Sequence, residues 1–400
     1  MACQCGAAGE SLTSYLCALP LDLCPAIRMG FSTKHLDPLI HPLVQIMCAQ
    51  VKPILNAQGQ THKDALKDYP RAPGQFSHGS AVRNVQNVDA QRIDARGVAG
   101  RMMKALSTRA TNPFAGHQYS VLNLRPKILQ GGKHMTDVVG NGDVVRYQGE
   151  ICEGTNGQDG VFGLPEEVVT GMLTANKSTS LFIETYASYL DHALSRSKTL
   201  GGVLEKSANQ PSTNMACPPE EGGVNSQFKR VVTLIKARAE LGDERQVHYA
   251  QLNGFDSHHD LGSTLNDKMP RANCGLKVLK EALVAEGLWD NVAVLTISDF
   301  GRTLTSSGIG TDHAWGGNYF LTGGKVNGGR IHGEYPDDLT AKGPLNVGRG
   351  RLIPTRGWES VWHGIAEWMG VEQDEMDSVI PNKKYFPSNL LFKATDLFRQ

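Results

Sequence analysis

NVAVLTISDFGRTLTSSGIGTDHAWGG, residues 291–317, carries the clearest signal in this 400-residue chain. Its opening, Val292 to Ile297, is an apolar, β-branched run bounded by Asp290-Asn291 and a glycine-containing turn. Such a run predicts a strand buried on both faces, the mark of a parallel sheet. Ser298-Asp299 follow at the strand's carboxyl end, where open α/β sheets bind ligands. A Gly/Ser/Thr loop then leads to Thr311-Asp312-His313. Two carboxylates and an imidazole returned to one sheet edge suit zinc, manganese or iron. The plainer reading of the same residues is a polar strand cap and a solvated Asp-His loop.

The segment upstream repeats the pattern. Gln227 to Leu241 has the apolar spacing of an amphipathic helix, with Gly242 placed to terminate it. Val247 to Leu252 reads as a strand and is followed by Asn253-Gly254-Phe255-Asp256-Ser257-His258-His259-Asp260. Asn273 to Glu286 is the next helix, leading into the strand at Val292. Strand, helix, strand in this rhythm predicts a right-handed crossover and two neighbouring parallel strands. Extended geometry puts residues two apart on one side, so Asp256 and His258 can hold one ion together. With Asp299, Asp312 and His313 they make a set that leaves room for water or substrate, as catalytic metal sites do. Arg302 offers the planar fork that suits a tetrahedral anion. Structural alternatives stand beside each residue: Asp256 as a helix cap, Asp299 as a turn cap paired with Arg302, His313 as a core histidine, His259 as a bystander.

Composition narrows the function classes. Forty Lys and Arg balance forty Asp and Glu, so nothing marks a surface for nucleic acid or an anionic membrane. No stretch reaches the roughly 18 apolar residues of a membrane span. The eight cysteines form no CxxC pair, and a disulfide is left open. Residues 1–40 read as irregular, with neither a basic start nor a twin arginine. Leu43, Ile46, Met47 and Val51 recur at helical spacing, which predicts a helix between Leu39 and Leu55. Residues 56–95, with His62 and His78, read as a long polar loop with a few helical turns. Helices are expected over Gly97–Leu106, Pro165–Leu173 and Ser180–Ser197, and strands at Tyr119–Leu124 and Tyr319–Thr322. Gly201–Asn225 reads as a connection near a site. Trp358, Val361, Trp362, Ile365, Trp368 and Met369 form a helical core stripe.

The strings GFDSHHD, TISDFGRT, GTDHAWGGNYFLTGGKVNGG, GRGRLIPT and VIPNKKYF resemble the family called domain of unknown function 1501 (DUF1501), of the alkaline phosphatase/sulfatase superfamily. A thinner likeness runs through His41-Pro42-Leu43, Phe76-Ser77-His78 and Gly97 to Leu106. The resemblance implies an alkaline-phosphatase-like α/β/α sandwich with a mostly parallel central sheet. On that reading residues 1–40 are an irregular or altered N-terminal segment, and residues 41–400 are one domain with long loop excursions. It implies Asp256, His258 and His313 as ligands of a first divalent metal, zinc or manganese, and Asp299 as ligand of a second. Phe300 stands where a second-site imidazole is expected, so the number of ions is open. Members begin with a strand ending in a Gly-Gly-x-Asp-Gly-like turn; residues 1–40 show no such strand, and Asp22 in PLDLC is a poor substitute for its metal ligand. The nucleophile has no assigned position. The expected activity is hydrolysis of a phosphate or sulfate ester, on a small molecule or a polymer, with Arg302 or Asn318 orienting the anion. The alternative is a non-catalytic metal- or anion-binding relative that keeps the fold. The resemblance implies export, although no signal peptide is visible.

Overall fold

Arg245 and Gln246, adjacent on one strand, reach opposite ways and define the layers. The computed structural model describes residues 14–20, 44–48, 76–89, 92, 94–109, 113–140, 151–152, 160–161, 166–175, 179–334 and 336–400. Its sheet has eight strands: β1 Ser14–Pro20, β2 Val44–Cys48, β3 Gly116–Ser120, β4 Asp137–Val138, β5 Arg245–Tyr249, β6 Val292–Ile297, β7 Gly317–Gly323 and β8 Ile331–His332. They lie in the order β8-β2-β7-β6-β1-β5-β3-β4. All run parallel except β7, which is antiparallel to both its neighbours. Every residue of β5 and β6 is buried, as expected for strands covered on both faces. The Gln246 side chain donates to the carbonyl of Leu234 on helix α3 (Asn225–Lys236). The Arg245 guanidinium donates to the carbonyl of Met369, 2.9 Å away, at the end of helix α5 (Trp358–Met369). Successive strand residues face opposite sides, so α3 and α5 lie on opposite faces of the sheet. Helix α4 (Leu261–Ala285) packs with α3, and helix α2 (Val98–Thr108) joins α5 through the turn Met376–Val379. The chain is therefore an α/β sandwich of three layers with a mostly parallel sheet. Helix α1 (His78–Asn87) begins at the carboxyl edge of that sheet, as the contacts of His78 show below.

Three sequence expectations are corrected. Ser14–Pro20 lies inside the segment read as irregular, yet it is the central strand, registered with Arg245–Tyr249 on one side and Val292–Ile297 on the other. The partners that make it a strand lie more than two hundred residues away, where no local window reaches. For the same reason β5 and β6 are not neighbours, because β1 stands between them. The helix expected between Leu39 and Leu55 is β2, which pairs with β7, Met47 opposite Asn318. A short apolar run fits both periods, and pairing decides. Asp22 lies outside the described residues.

Other boundaries shift for local reasons. Helix α4 starts at Leu261 rather than Asn273, because the Asp260 side chain accepts from the backbone N–H of Ser263 and caps it. Gly242 closes the turn after α3 at φ 69°, as its type predicted. Cys217 and Cys274 form a disulfide that ties the 211–224 loop to α4. Trp358, Val361, Trp362, Ile365 and Met369 are fully buried. Residues 142–210 form a second compact unit. It holds two short antiparallel strands, Ile151–Cys152 and Gly160–Val161, a helix over Glu166–Ala175 and a long helix over Leu181–Glu205 whose Leu181, Phe182 and Tyr186 are exposed. Among the described residues no helix is long and apolar enough to cross a membrane.

Glu359, in the first turn of α5, is buried and its Oε2 has no hydrogen-bond partner among the described residues. Burial pushes its carboxyl up to about 7, against the opposing pull of its own backbone N–H, Asn382 and Arg101. The unfolded chain releases this proton near pH 4.5, the folded chain near 7. Stability contributed here is therefore lost as pH rises through that window, by about 3 kcal/mol at most. Glu359→Gln should remove this loss. Denaturant unfolding at pH 4 and pH 8 should show the variant gaining on the wild type by about 2–3 kcal/mol between the two.

Candidate metal centre

The two acidic strand ends meet because their loops are laid against each other. The 299–316 loop is zipped on itself: Gly301 N–H donates to the Trp315 carbonyl and Ala314 N–H to the Gly301 carbonyl. Any Cβ at Gly301 would lie 2.0 Å from the Gly316 carbonyl oxygen, so glycine is what allows the zip. The far end of that loop is then bonded to the turn after β5. Thr311 N–H donates to the Ser257 carbonyl at 3.0 Å. A Cβ at Gly310 would stand 2.1 Å from the His258 carbonyl oxygen. Thus Asp256 and His258 arrive beside His313.

Four side chains converge there. Asp256 Oδ1 lies 3.0 Å from His258 Nε2 and 3.1 Å from His313 Nε2. The two Nε2 atoms are 2.9 Å apart. The fourth group is His78, the first residue of α1, whose Nε2 lies 3.2 Å from Asp256 Oδ2. Of these, His78, Asp256 and His313 each offer a ligand atom within 4.8 Å of the others, a set able to gather around one ion. Two of the rings are held by their other nitrogen. His313 Nδ1 is 2.7 Å from the Phe76 carbonyl, to which it must donate, which leaves Nε2 to face the cluster. His78 Nδ1 is 2.7 Å from Asp299 Oδ2. A carboxylate behind a ligating imidazole fixes its tautomer and raises its basicity.

Asp256 is kept ionised. Burial pushes its carboxyl up, but the hydrogen bonds from Arg302 and His78 and the charges of Arg302 and His258 outweigh it and hold it down to about 2. Burial pushes Asp299 up, despite the His78 hydrogen bond and charge. His78 is lowered by burial, but the Asp299 and Asp256 hydrogen bonds prevail and leave it raised.

The other sequence candidates stand as follows. Asp299 touches His78 rather than the Asp256–His258–His313 group. Asp312 Oδ1 accepts from the His313 backbone N–H at 2.8 Å and lies 3.9 Å from His258 Nδ1. Its Oδ2 faces Arg349. His258, Asp312 and His313 form a second, overlapping set able to gather around an ion. The Arg302 side chain is 1% exposed and donates to Asp256 Oδ1 at 2.7 Å and to Thr311. Asn318 is buried at the start of β7, and His259 is exposed. Phe300, in the expected imidazole position, stacks on His313 with centroids 4.2 Å apart and lies 4.8 Å from the His78 ring. His78 is the residue the sequence reading passed over. Its signal is the string Phe76-Ser77-His78, set within the polar stretch 56–95.

Comparison with known proteins finds a family-model match over part of the chain and a set of distant neighbours. Residues 185–347 match the family model described as protein of unknown function (DUF1501). That span includes Asp256, His258, Asp299, Asp312 and His313, and excludes His78. No curated protein matches the chain. Among solved structures, the lipoteichoic acid synthase LtaP from Listeria monocytogenes is similar at 10% identity and TM-score 0.36, over 90% of this chain and 72% of that one. Ps i-CgsB in complex with k-i-k-neocarrahexaose is similar at 11% and 0.35, over 92% and 75%. The PsFucS1 sulfatase from Pseudoalteromonas sp. is similar at 13% and 0.34, over 95% and 70%.

The close approach at Gly310 gives a test of the geometry. Gly310→Ala should destabilise by more than about 2 kcal/mol, since a backbone carbonyl must move. Gly79→Ala, next to His78 in α1 with nothing within 4 Å of the added carbon, should be neutral or stabilising by up to about 1 kcal/mol. Thermal melts of the two variants side by side check both signs.

Proposed function

We propose that this chain is a metal-dependent hydrolase of phosphate or sulfate esters working with a single zinc or manganese ion. The observation that carries it is the gathering of His78, Asp256 and His313 ligand atoms within 4.8 Å of one another, with His258 Nε2 3.0 Å from Asp256 Oδ1 and 2.9 Å from His313 Nε2. The donor set fits the ion: imidazole-rich with one carboxylate suits zinc, and manganese accepts it less readily. When bound, such an ion polarises an ester oxygen and lowers the pKa of a bound water or hydroxyl.

The protein's own groups prepare that site. Arg302 pairs with Asp256 through Oδ1, the oxygen that also faces His258 and His313, while Oδ2 faces His78. Asp299 holds His78, and the Phe76 carbonyl holds His313, so both rings present Nε2. Phe300 walls one side with an apolar ring where a second ion would need a ligand. The Asp312 side chain, given a ligand role from sequence, serves the outer edge of the cluster in this reading. Ser77 is exposed between Phe76 and His78, one residue from each contact, and offers a hydroxyl nucleophile. Phe300 also favours a second reading, a metal-binding protein without turnover.

Elemental analysis of the purified chain after zinc or manganese loading should find one ion. His78→Ala and Asp256→Ala should both lose it, and Asp299→Asn should weaken it about 10- to 100-fold. A wild type that holds no ion, or holds it equally after Asp256→Ala, ends this reading. With the ion bound, aryl phosphate and aryl sulfate esters should be cleaved, and Ser77→Ala should stop it. Tight metal without cleavage across an ester panel selects the binding protein.

A further inference from the structure

The turn Gly348-Arg349-Gly350 is left-handed at three consecutive residues, with φ 104°, 57° and 73°. Glycine takes such angles freely; arginine does so at a cost. Among the described residues only Val88 and Asp260 share this with Arg349 as non-glycine residues. Asp260 repays it by capping α4. Arg349 makes an ion pair, Nη1 to Asp312 Oδ2 at 2.8 Å, with a side chain 57% exposed. Exposed pairs of that kind stabilise little, so stability does not account for arginine at this position.

Its neighbour Arg351 is placed by different contacts. Arg351 Nε donates to the His313 carbonyl at 2.9 Å, and its guanidinium lies 4.3 Å over the Phe76 ring. Both residues belong to the wall of the metal centre, since Phe76 accepts from His313. Arg351 Nη2 is 3.7 Å from the same Asp312 Oδ2 that Arg349 holds. One carboxylate oxygen therefore sits between two guanidinium groups at the rim of the cluster. Arg302, the arginine that sequence suggested for an anion, is buried and committed to Asp256 and Thr311.

We infer that Arg349 and Arg351 form the binding rim for a tetrahedral oxyanion, the phosphate or sulfate group of the substrate, with Asp312 occupying the pair until that group arrives. Arg351 is the fixed half, pinned to a metal ligand's backbone. Arg349 is the exposed half, carried on a turn whose strain fixes where the arm starts, and it exchanges Asp312 for the incoming anion. Two planar forks suit tetrahedral oxygens better than ammonium groups do. The inference rests on the hydrolase reading for the substrate's chemistry, but the arginine pair binds the anion itself.

Calorimetric titration of inorganic phosphate and of sulfate into the wild type, Arg349→Gly and Arg349→Gln, each zinc-loaded and each metal-free, tests it. Melting temperature and zinc content are recorded alongside. Arg349→Gly should keep its zinc, melt no lower than the wild type, and bind the tighter of the two anions at least about fivefold more weakly. Arg349→Gln should show the same loss if the glycine variant does not fold. A loss smaller than fivefold in a folded variant overturns the inference, as does a wild type that binds neither anion. If the wild type holds no zinc yet binds anion in an Arg349-dependent way, the rim stands and the hydrolase reading falls. If zinc is held and anion binding ignores Arg349, the reverse is true.

Discussion

One carboxylate organises this molecule's candidate site. Asp256 accepts from a buried guanidinium on one side and is met by three imidazoles on the other. Arg302 is essential to that arrangement. Its hydrogen bond and charge help hold the Asp256 carboxyl below the usual carboxylate range, so the histidines face an anion. The four segments brought together come from residues 76–78, 256–258, 302 and 311–313. Their loops are held by backbone hydrogen bonds and by glycines whose missing side chains let carbonyls approach. The geometry is thus set by the main chain, and the ligating side chains inherit it.

The helical layers do the complementary work of keeping β5 and β6 where their ends can meet. Gln246 and Arg245 hydrogen-bond to carbonyls on opposite faces, so each layer is anchored by a polar contact as well as by apolar packing. The disulfide at Cys217–Cys274 fastens the loop before α3 to α4, the helix that Asp260 starts just beyond the site. The cluster therefore stands at the ends of β5 and β6, which β1 joins into one sheet, with α1 adding His78.

The second half was largely legible in the sequence. Val292–Ile297 declares itself because six consecutive buried residues leave no other period, and the Trp358–Met369 stripe does so by its spacing. Asp256, His258, Asp299, Asp312 and His313 could be named because they follow such strands within a few residues. The first half was not legible. Ser14–Pro20 and Val44–Cys48 owe their state to partners far along the chain. His78 lies in a polar stretch, where a histidine opening a short helix resembles any other. Roles were also blurred: sequence names Arg302 and Asp299 as candidates, but only coordinates show one turned inward to Asp256 and the other standing behind an imidazole.

The place of Ser14–Pro20 in the middle of the sheet has a consequence for how the chain comes into being. Its last pairing, Pro20 with Ile297, joins this strand to a segment synthesised almost three hundred residues later. At about 5–20 residues per second, a ribosome needs roughly fifteen seconds to a minute to make that partner. During this interval both edges of an apolar strand await hydrogen-bonding company. The nascent protein must shelter that ribbon from other growing chains before its native slot exists.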